Sequence, residues 1–378
     1  MTASSATDVS IAQLAATRAS AGALFEKFRA RQLATPPERL NTGWEDVLVP
    51  QGLILGGLLG DTAMADWVRR WVPRHREVVY ANDEPGKTTH MPSGTPKTGV
   101  VLGQYCGNWG LPMVLVPLFQ LDGDKADRDL AITICDHILT GSPRLRDQGI
   151  AHGRHNPGVA ERLWVDTLYY TSGPLAWTYS ITGDERYAQE AIRQCLVHAK
   201  YLQDPRTGLF FHDVEPANGR RSDFFWGRGN GWVIMALLDT LRFCPPTTPG
   251  WDAVLASYRD IATGLLRAQH SSGLWRIIPE DEESHLEVSG TAMILIGLLG
   301  GIDAGYLQPH SLGRVRRGFW EIANSIQPSD GSLRGAQRPA GLGGWETHRR
   351  SFLGECTYAD GVLLRLLAAV ASSPSFAS

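Results

Sequence analysis

Nine consecutive residues, Phe224-Phe225-Trp226-Gly227-Arg228-Gly229-Asn230-Gly231-Trp232, combine four aromatics, a fixed cation and three glycines. Glycines let a ligand approach the backbone closely, and a planar guanidinium among indoles suits carboxylate or sugar recognition. The apolar stretch Val233 to Leu241 follows at once with helical character. The motif therefore lies where a loop enters a helix, beside free backbone N–H groups that favour an anion. Taken alone, the same run also reads as a Gly-rich turn with packed aromatics.

A second group with chemical capacity is Trp164-Val165-Asp166-Thr167-Leu168-Tyr169-Tyr170, an acid in an aromatic and apolar segment at a helix start. A carboxyl there loses hydration in its charged form, so its pKa is expected to rise. A neutral carboxyl near pH 7 is what a general acid requires. An Asp at a helix start is also a common cap. His212, in Phe210-Phe211-His212-Asp213 behind the Gly208 turn, is a third candidate.

Helices must carry these groups. Ile11 to Gln32 reads as an Ala/Leu-rich helix that Pro36-Pro37 stops. Trp44 opens a more apolar helix through Leu59, and Thr62 to Val72 follows. Further pairs are expected at Leu111 to Gln120 with Lys125 to Leu139, and at Glu161 to Ser180 with Glu185 to Leu202. A Gly-Asp turn separates the members of each pair: Gly60-Asp61, Gly123-Asp124 and Gly183-Asp184. A second punctuation follows later helices, at Thr207-Gly208-Leu209-Phe210, Ser272-Gly273-Leu274-Trp275 and Asp330-Gly331-Ser332-Leu333. Both recur at about 60 residues, the mark of a repeated two-helix unit. The length then holds about six hairpins, with β-like alternation confined to short pieces such as Leu209 to His212.

The expected fold is all-α, an (α/α)6 barrel forming one domain over residues 1–378. Apolar first helices line its inside, amphipathic second helices form an outer ring, and loops at one end make a cleft. An open α-solenoid uses the same hairpins. Closure is preferred because site-like residues recur in several repeats, and only a ring brings them to one place. A Pro/Gly/Thr-rich run at about 80–100, including Asn82 to Pro92, lacks helical period and reads as a long loop insertion.

With 43% hydrophobic and 20% charged residues, the chain has the composition of a soluble globular protein with a large core. A formal charge of −3 argues against a nucleic-acid or membrane-surface partner. The twelve Trp are consistent with a carbohydrate cleft as well as a core. Met1 to Ser10 is polar and lacks a secretory pattern, so the expected location is cytoplasmic. No apolar run reaches about 18 residues, so no membrane span is expected. The five Cys (Cys106, Cys135, Cys195, Cys244, Cys356) lack C-x-x-C spacing, which suits reduced, mostly buried thiols and neither a disulfide framework nor a metal site.

The run from Glu161 to Leu241 resembles the unsaturated glucuronyl and rhamnogalacturonyl hydrolases, glycoside hydrolase families 88 and 105. The resemblance rests on Leu163 to Tyr169, Thr182 to Tyr187, Asp204 to His212 and Trp226 to Trp232, with Glu287 to Met293, Gly354 to Cys356 and Asp360 to Leu364 further on. It implies an (α/α)6 barrel and a substrate left by a polysaccharide lyase, an oligosaccharide whose terminal uronic acid carries a C4=C5 double bond. The enzyme hydrates that enol ether, and the hemiketal falls open to release the remaining sugar. The family's proton donor matches Asp166, and its cleft residues match His212, Trp226 and Arg228. Arg228 would contact a carboxylate or other substrate oxygen, Trp226 would stack on the sugar, and His212 would orient hydroxyls. Asn108, Trp109, Tyr170, Asn230, Trp232 and Trp44 complete the expected substrate-binding set; the implied chemistry requires no metal and no cofactor. One departure stands out. Gln104-Tyr105-Cys106-Gly107-Asn108-Trp109-Gly110 has no carboxylate where the family usually offers a second Asp. Either Asp166 acts alone or another acid, Glu161 or Glu355, assists it.

Three other readings fit the same barrel. A conventional glycosidase acting on saturated uronides needs a second acid across from Asp166. A sugar epimerase would use paired histidines, with His212 and His285 as candidates. A non-catalytic glycan-binding scaffold would follow if Asp166 were a solvated cap.

Overall fold

The computed structural model describes residues 11–80, 98–153, 160–340 and 343–377. In chain order its main helices begin with α1 (Ile11–Ala34), α2 (Leu48–Leu58), α3 (Thr62–Trp71), α4 (Pro112–Asp122), α5 (Lys125–Gly141) and α6 (Val165–Thr182). They continue with α7 (Glu185–Leu202), α8 (Gly227–Phe243), α9 (Trp251–Ala268), α10 (Val288–Asp303), α11 (Leu312–Ala323), the short α12 (Trp345–Arg349) and α13 (Thr357–Ser372).

Hydrophobicity sorts these helices into two rings. The inner helices, such as α10 with the run Met293-Ile294-Leu295-Ile296, are apolar on nearly every face and buried. Outer helices such as α3 and α11 carry one apolar stripe. The inner ring closes: α2 packs on α4, α4 on α6, α6 on α8, α8 on α10, α10 on α13, and α13 back on α2. This is an (α/α)6 barrel and not an open solenoid. At the closing seam a Cβ on Gly361 would lie 2.2 Å from the Leu48 carbonyl carbon, so only glycine lets α13 approach α2 this closely. Outside, α3, α5, α7, α9 and α11 back onto α2, α4, α6, α8 and α10. The sixth outer place, between α11 and α3, is filled by α1. The last hairpin is thus made from both ends of the chain.

The Gly-Asp turns have a physical cause. Gly123 (φ 72°) and Gly183 (φ 66°) end inner helices in the left-handed region. The following Asp124 and Asp184 cap the outer helices by accepting from the backbone N–H of Ala126 and Arg186 at 2.9 and 3.0 Å.

Two boundaries differ from the sequence reading. The helix assigned from Trp44 begins only at Leu48. Asn41 Oδ1 accepts from Gly43 N at 2.7 Å and Asp46 Oδ2 from Asn41 N at 3.1 Å, so side chains hold a turn there that competes with helix. The helix assigned from Glu161 begins at Val165, because Leu163-Trp164 is drawn into a strand. At the expected loop insertion, β1 (Val78–Tyr80) and β2 (Val100–Leu102) pair in parallel, while residues 81–97 lie outside the described ones. All five cysteines are free, and no described helix is long and apolar enough to cross a membrane.

The core holds histidines in neutral form. On α7, His198 is fully buried, its Nδ1–H donating to the Gln194 carbonyl at 2.8 Å. Loss of hydration pushes its pKa down to about 4. The unfolded chain, titrating at the usual value of about 6.5, binds more protons between pH 6.5 and 4. His198 therefore contributes stability above pH 6.5 that is lost as pH falls toward 4. We expect wild type to lose about 2 kcal/mol more than His198→Gln between pH 7 and pH 5. Urea-unfolding midpoints at the two pH values check this; parallel losses in both proteins would refute it.

Candidate active site

Short strands at one end of the barrel set the first turns of the inner helices side by side. β3 (Leu163–Trp164) pairs antiparallel with β4 (Asp213–Glu215), matching Leu163 with Val214 and Trp164 with Asp213. Val165 N then donates to His212 O at 3.2 Å, which places Asp166, on the first turn of α6, beside His212. β5 (Arg220–Arg221) continues that sheet. A bridge from Phe211 to Phe225 brings in Trp226, the residue that opens α8, with Arg228 on its first turn. β6 (Trp275–Arg276) pairs with β7 (Leu286–Glu287), from which Glu287 caps α10. β8 (Ala336–Gln337) pairs with β9 (Leu353–Gly354), which leads to Tyr358 at the start of α13. Several inner helices thus direct their N-terminal, electropositive ends at one place, which favours an anionic ligand.

Asp166 is half-buried, and its Oδ2 is enclosed without a protein partner. Loss of hydration raises its pKa; His212, Arg228 and the Trp232 indole act in the opposite direction. The Trp232 Nε1–H nevertheless closes no full hydrogen bond. A carboxyl raised above its usual value, with one oxygen unoccupied by protein, can hold and deliver a proton.

The rings around it form a wall. Trp164 lies 4.7 Å from His212 between ring centroids, His212 lies 5.0 Å from Trp226 and 4.8 Å from His348, and His152 stacks on Trp164 at 4.6 Å. His212 Nδ1 is 3.3 Å from Asp213 Oδ2, and its Nε2 is buried without a partner. Burial acts against charge on Asp213, yet His212 and Arg162 hold its pKa below the usual value. Burial and the neighbouring His212 push His348 down to about 3, so its ring is neutral.

Arg228 is the centre of a second layer. Its guanidinium carbon lies 4.6 Å from the Trp226 ring and 4.7 Å from the Tyr358 ring, and Trp44 packs at a tilt against Tyr358, 5.4 Å between centroids. The sequence suggested a cation among indoles; one of the two flanking rings is a phenol. Nη1 donates to Gln337 O at 2.6 Å and to Tyr358 Oη, whereas Nε is buried without a partner.

The other expected residues divide. Asn108 is buried in the turn before α4, and that turn rests on α6, with Cys106 Sγ 3.8 Å from Thr167 Oγ1. Tyr170 packs edge-on to Tyr169, faces Trp232 at 5.5 Å and donates its phenol proton to Trp44 O at 2.9 Å. These residues form the floor under Asp166. Trp109 and Asn230 are corrections. Trp109 is fully buried and donates to Gly103 O at 3.2 Å, which makes it core. Asn230 exchanges two hydrogen bonds with the Phe210 backbone, at 2.8 and 2.9 Å, and gives a third to Trp226 O, so it braces the loop and has no group left for a ligand. Neither proposed helper acid stands at the site: Glu161 is exposed, and Glu355 is paired with Arg31 at 3.2 Å and Arg334 at 3.5 Å. Burial drives the Tyr105 phenol pKa well up, and the charges of Asp166 and Glu45 act in the same direction.

Sequence reasoning also missed Tyr358, Gln337 and His348. Tyr358 and Gln337 act through contacts across more than a hundred residues of chain, to which no local spacing points. A histidine immediately before an arginine pair, His348-Arg349-Arg350, reads as a charged surface; burial beside His212 makes it a ring of the wall.

Residues 103–351 match Glycosyl Hydrolase Family 88. The chain is 31% identical over 200 residues to the unsaturated rhamnogalacturonyl hydrolase YesR of Bacillus subtilis, covering 51% of this chain and 58% of that protein. It is 30% identical over 181 residues to an unsaturated 3S-rhamnoglycuronyl hydrolase of an Alteromonas species, covering 46% of this chain and 43% of that protein. The matches therefore span about three fifths or less of these relatives. Among solved structures, a possible member of family GH105 from Klebsiella pneumoniae superposes with a TM-score of 0.78 at 22% identity, covering 93% of each chain. The unsaturated glucuronyl hydrolase of Bacillus sp. GL1 superposes with a TM-score of 0.69 at 16% identity, covering 93% of this chain and 96% of that one. At these identities the superpositions establish the fold.

Proposed function

The chain belongs to glycosyl hydrolase family 88, and we propose that it removes a terminal 4,5-unsaturated uronic acid from oligosaccharides generated by polysaccharide lyases. The observation that carries this reading is the Asp166 carboxyl on the first turn of α6, its Oδ2 enclosed and unpartnered and its pKa raised by burial, with the charges of His212 and Arg228 acting on it. The names of these two curated relatives support the substrate class.

In this reading Asp166 donates its proton to C4, and positive charge develops at C5, shared with the ring oxygen. Water adds at C5, and the Asp166 carboxylate takes up the proton that the water loses. The product is a hemiketal whose opening breaks the ring C5–O bond to give a C5 ketone; the hemiacetal left at C1 then collapses to an aldehyde, breaking the glycosidic bond and releasing the remaining oligosaccharide with a hydroxyl. One water is consumed, and Asp166 ends protonated as it began. Arg228 offers its Nε–H, which lacks a protein partner, to the uronate carboxylate. Trp226 provides a ring face, and His212 Nε2 is available to a hydroxyl or to the water. The closed ring of inner helices supports one catalytic unit over the described residues.

The rival readings have less support. A conventional glycosidase would need a second acid, and neither Glu161 nor Glu355 is placed for it. The epimerase pairing fails because His285 is exposed and the histidine ring against His212 is that of His348. A panel of lyase-generated oligosaccharides and their saturated counterparts tests the proposal. We expect loss of the double bond's ultraviolet absorbance with the unsaturated set and no release from the saturated set. Comparable turnover of saturated uronides would replace this reading with the conventional one.

A further inference from the structure

We propose that Gln337 is a positioning residue that keeps Trp226, Arg228 and Tyr358 in register, a role that presupposes the uronide-binding reading of that stack. Gln337 is fully buried at the end of β8, and all of its polar groups are engaged. Its side chain governs one layer. Oε1 accepts from Trp226 Nε1 at 2.7 Å, and because an indole N–H can only donate, the orientation of the amide is fixed. Nε2 is then turned to Ser351 Oγ, to which it donates at 3.0 Å. The Ser351 hydroxyl passes its own proton to Thr347 O at 3.0 Å, so the chain of donors runs in one direction. The main chain governs the other two layers. Gln337 O accepts from Arg228 Nη1 at 2.6 Å and from Tyr358 Oη, while Gln337 N donates to Glu287 Oε2 at 3.3 Å.

These two arms separate under mutation. Substitution leaves the carbonyl on Arg228 and Tyr358 but removes the acceptor for the Trp226 indole. A buried N–H without an acceptor is unfavourable, and the ring relieves this by turning. Turning takes Trp226 off the Arg228 guanidinium that it now covers at 4.6 Å and shifts the face offered to the sugar. No hydrogen bond joins Gln337 to Asp166 among the described residues. The effect should therefore fall on substrate binding, leaving proton transfer nearly intact.

The test measures steady-state kinetics on an unsaturated oligosaccharide that wild type turns over. In Gln337→Met, nearly isosteric but with only a weak acceptor, KM should rise roughly tenfold with kcat within about twofold, the loss expected of one buried hydrogen bond. Gln337→Glu restores an oxygen to Trp226 and should recover most of the KM. In a Trp226→Phe background, which has no indole N–H, Gln337→Met should cost nothing further. If Gln337→Met fails to fold by circular dichroism, Ser351→Ala serves in its place; it removes only the group that fixes Nε2 and should raise KM in the same direction. An unchanged KM, a fall in kcat at constant KM, or full additivity with Trp226→Phe would overturn the role of Gln337. Absence of turnover by wild type on every unsaturated substrate would instead sink the uronide reading.

Discussion

Arg228→Lys is expected to lose kcat/KM by about 10²-fold although the charge is kept, because what is lost is a charge-assisted fork and its stacking together. The guanidinium carbon lies 4.6 Å from the Trp226 ring and 4.7 Å from the Tyr358 ring, and Nη1 is tied to Gln337 O. That leaves Nε, buried and unpartnered, on the edge available for a carboxylate. A single ammonium cannot lie beside both rings, hold Gln337 O and Tyr358 Oη, and still offer a further donor where Nε stands. Most of the loss should appear as a higher KM, since the carboxylate is present in both ground and transition states. The measurement is steady-state kinetics on an unsaturated uronide, with calorimetric binding to separate affinity from turnover. Kinetics like those of wild type would show that Arg228 only braces the C-terminal strands through Gln337 and Tyr358.

That alternative is reasonable, because the sequence displayed Arg228 and hid its partners. Trp226, Gly227 and Arg228 could be read as a site since a loop, close-approach residues and a cation coincide within a few positions. Asp166 was legible for a similar reason: an acid in an apolar, aromatic helix start is anomalous, and the raised pKa follows from burial. The barrel was legible in the Gly-Asp turns, whose left-handed glycines and capping aspartates are local devices. What could not be read was set by tertiary packing. Trp109 and Asn230 have the residue types of ligand contacts, but Trp109 points its N–H at Gly103 O and Asn230 spends its amide on Phe210. Tyr358 and Gln337 lie far along the chain from Arg228 and enter only because β8 and β9 fold over the start of α8. Helix starts at Leu48 and Val165 were misplaced by a few residues for the same reason, since a side-chain turn and a strand pairing decide them.

The largest effect is expected at Asp166, the proposed donor to C4. Asp166→Asn should fold and bind unsaturated oligosaccharide, since the amide is nearly isosteric and Oδ2 has no protein partner to lose. Turnover should fall by at least 10²- to about 10⁴-fold, the usual worth of general acid/base catalysis. The requirement is greater here than the range suggests, because the turn carrying Asn108 supplies no carboxyl and the candidate helpers Glu161 and Glu355 face elsewhere. Burial raises the pKa of Asp166, so the reactive, protonated form persists to higher pH than in an ordinary carboxyl. Activity should accordingly decline as pH rises through that pKa, a limb absent from the residual rate of Asp166→Asn. In deuterium oxide the wild-type product should carry deuterium at C4, because the transferred proton comes from a carboxyl in exchange with solvent. Product without deuterium at C4, or an Asp166→Asn enzyme with near-normal turnover, would remove Asp166 from the proton path and leave its raised pKa as a consequence of burial alone.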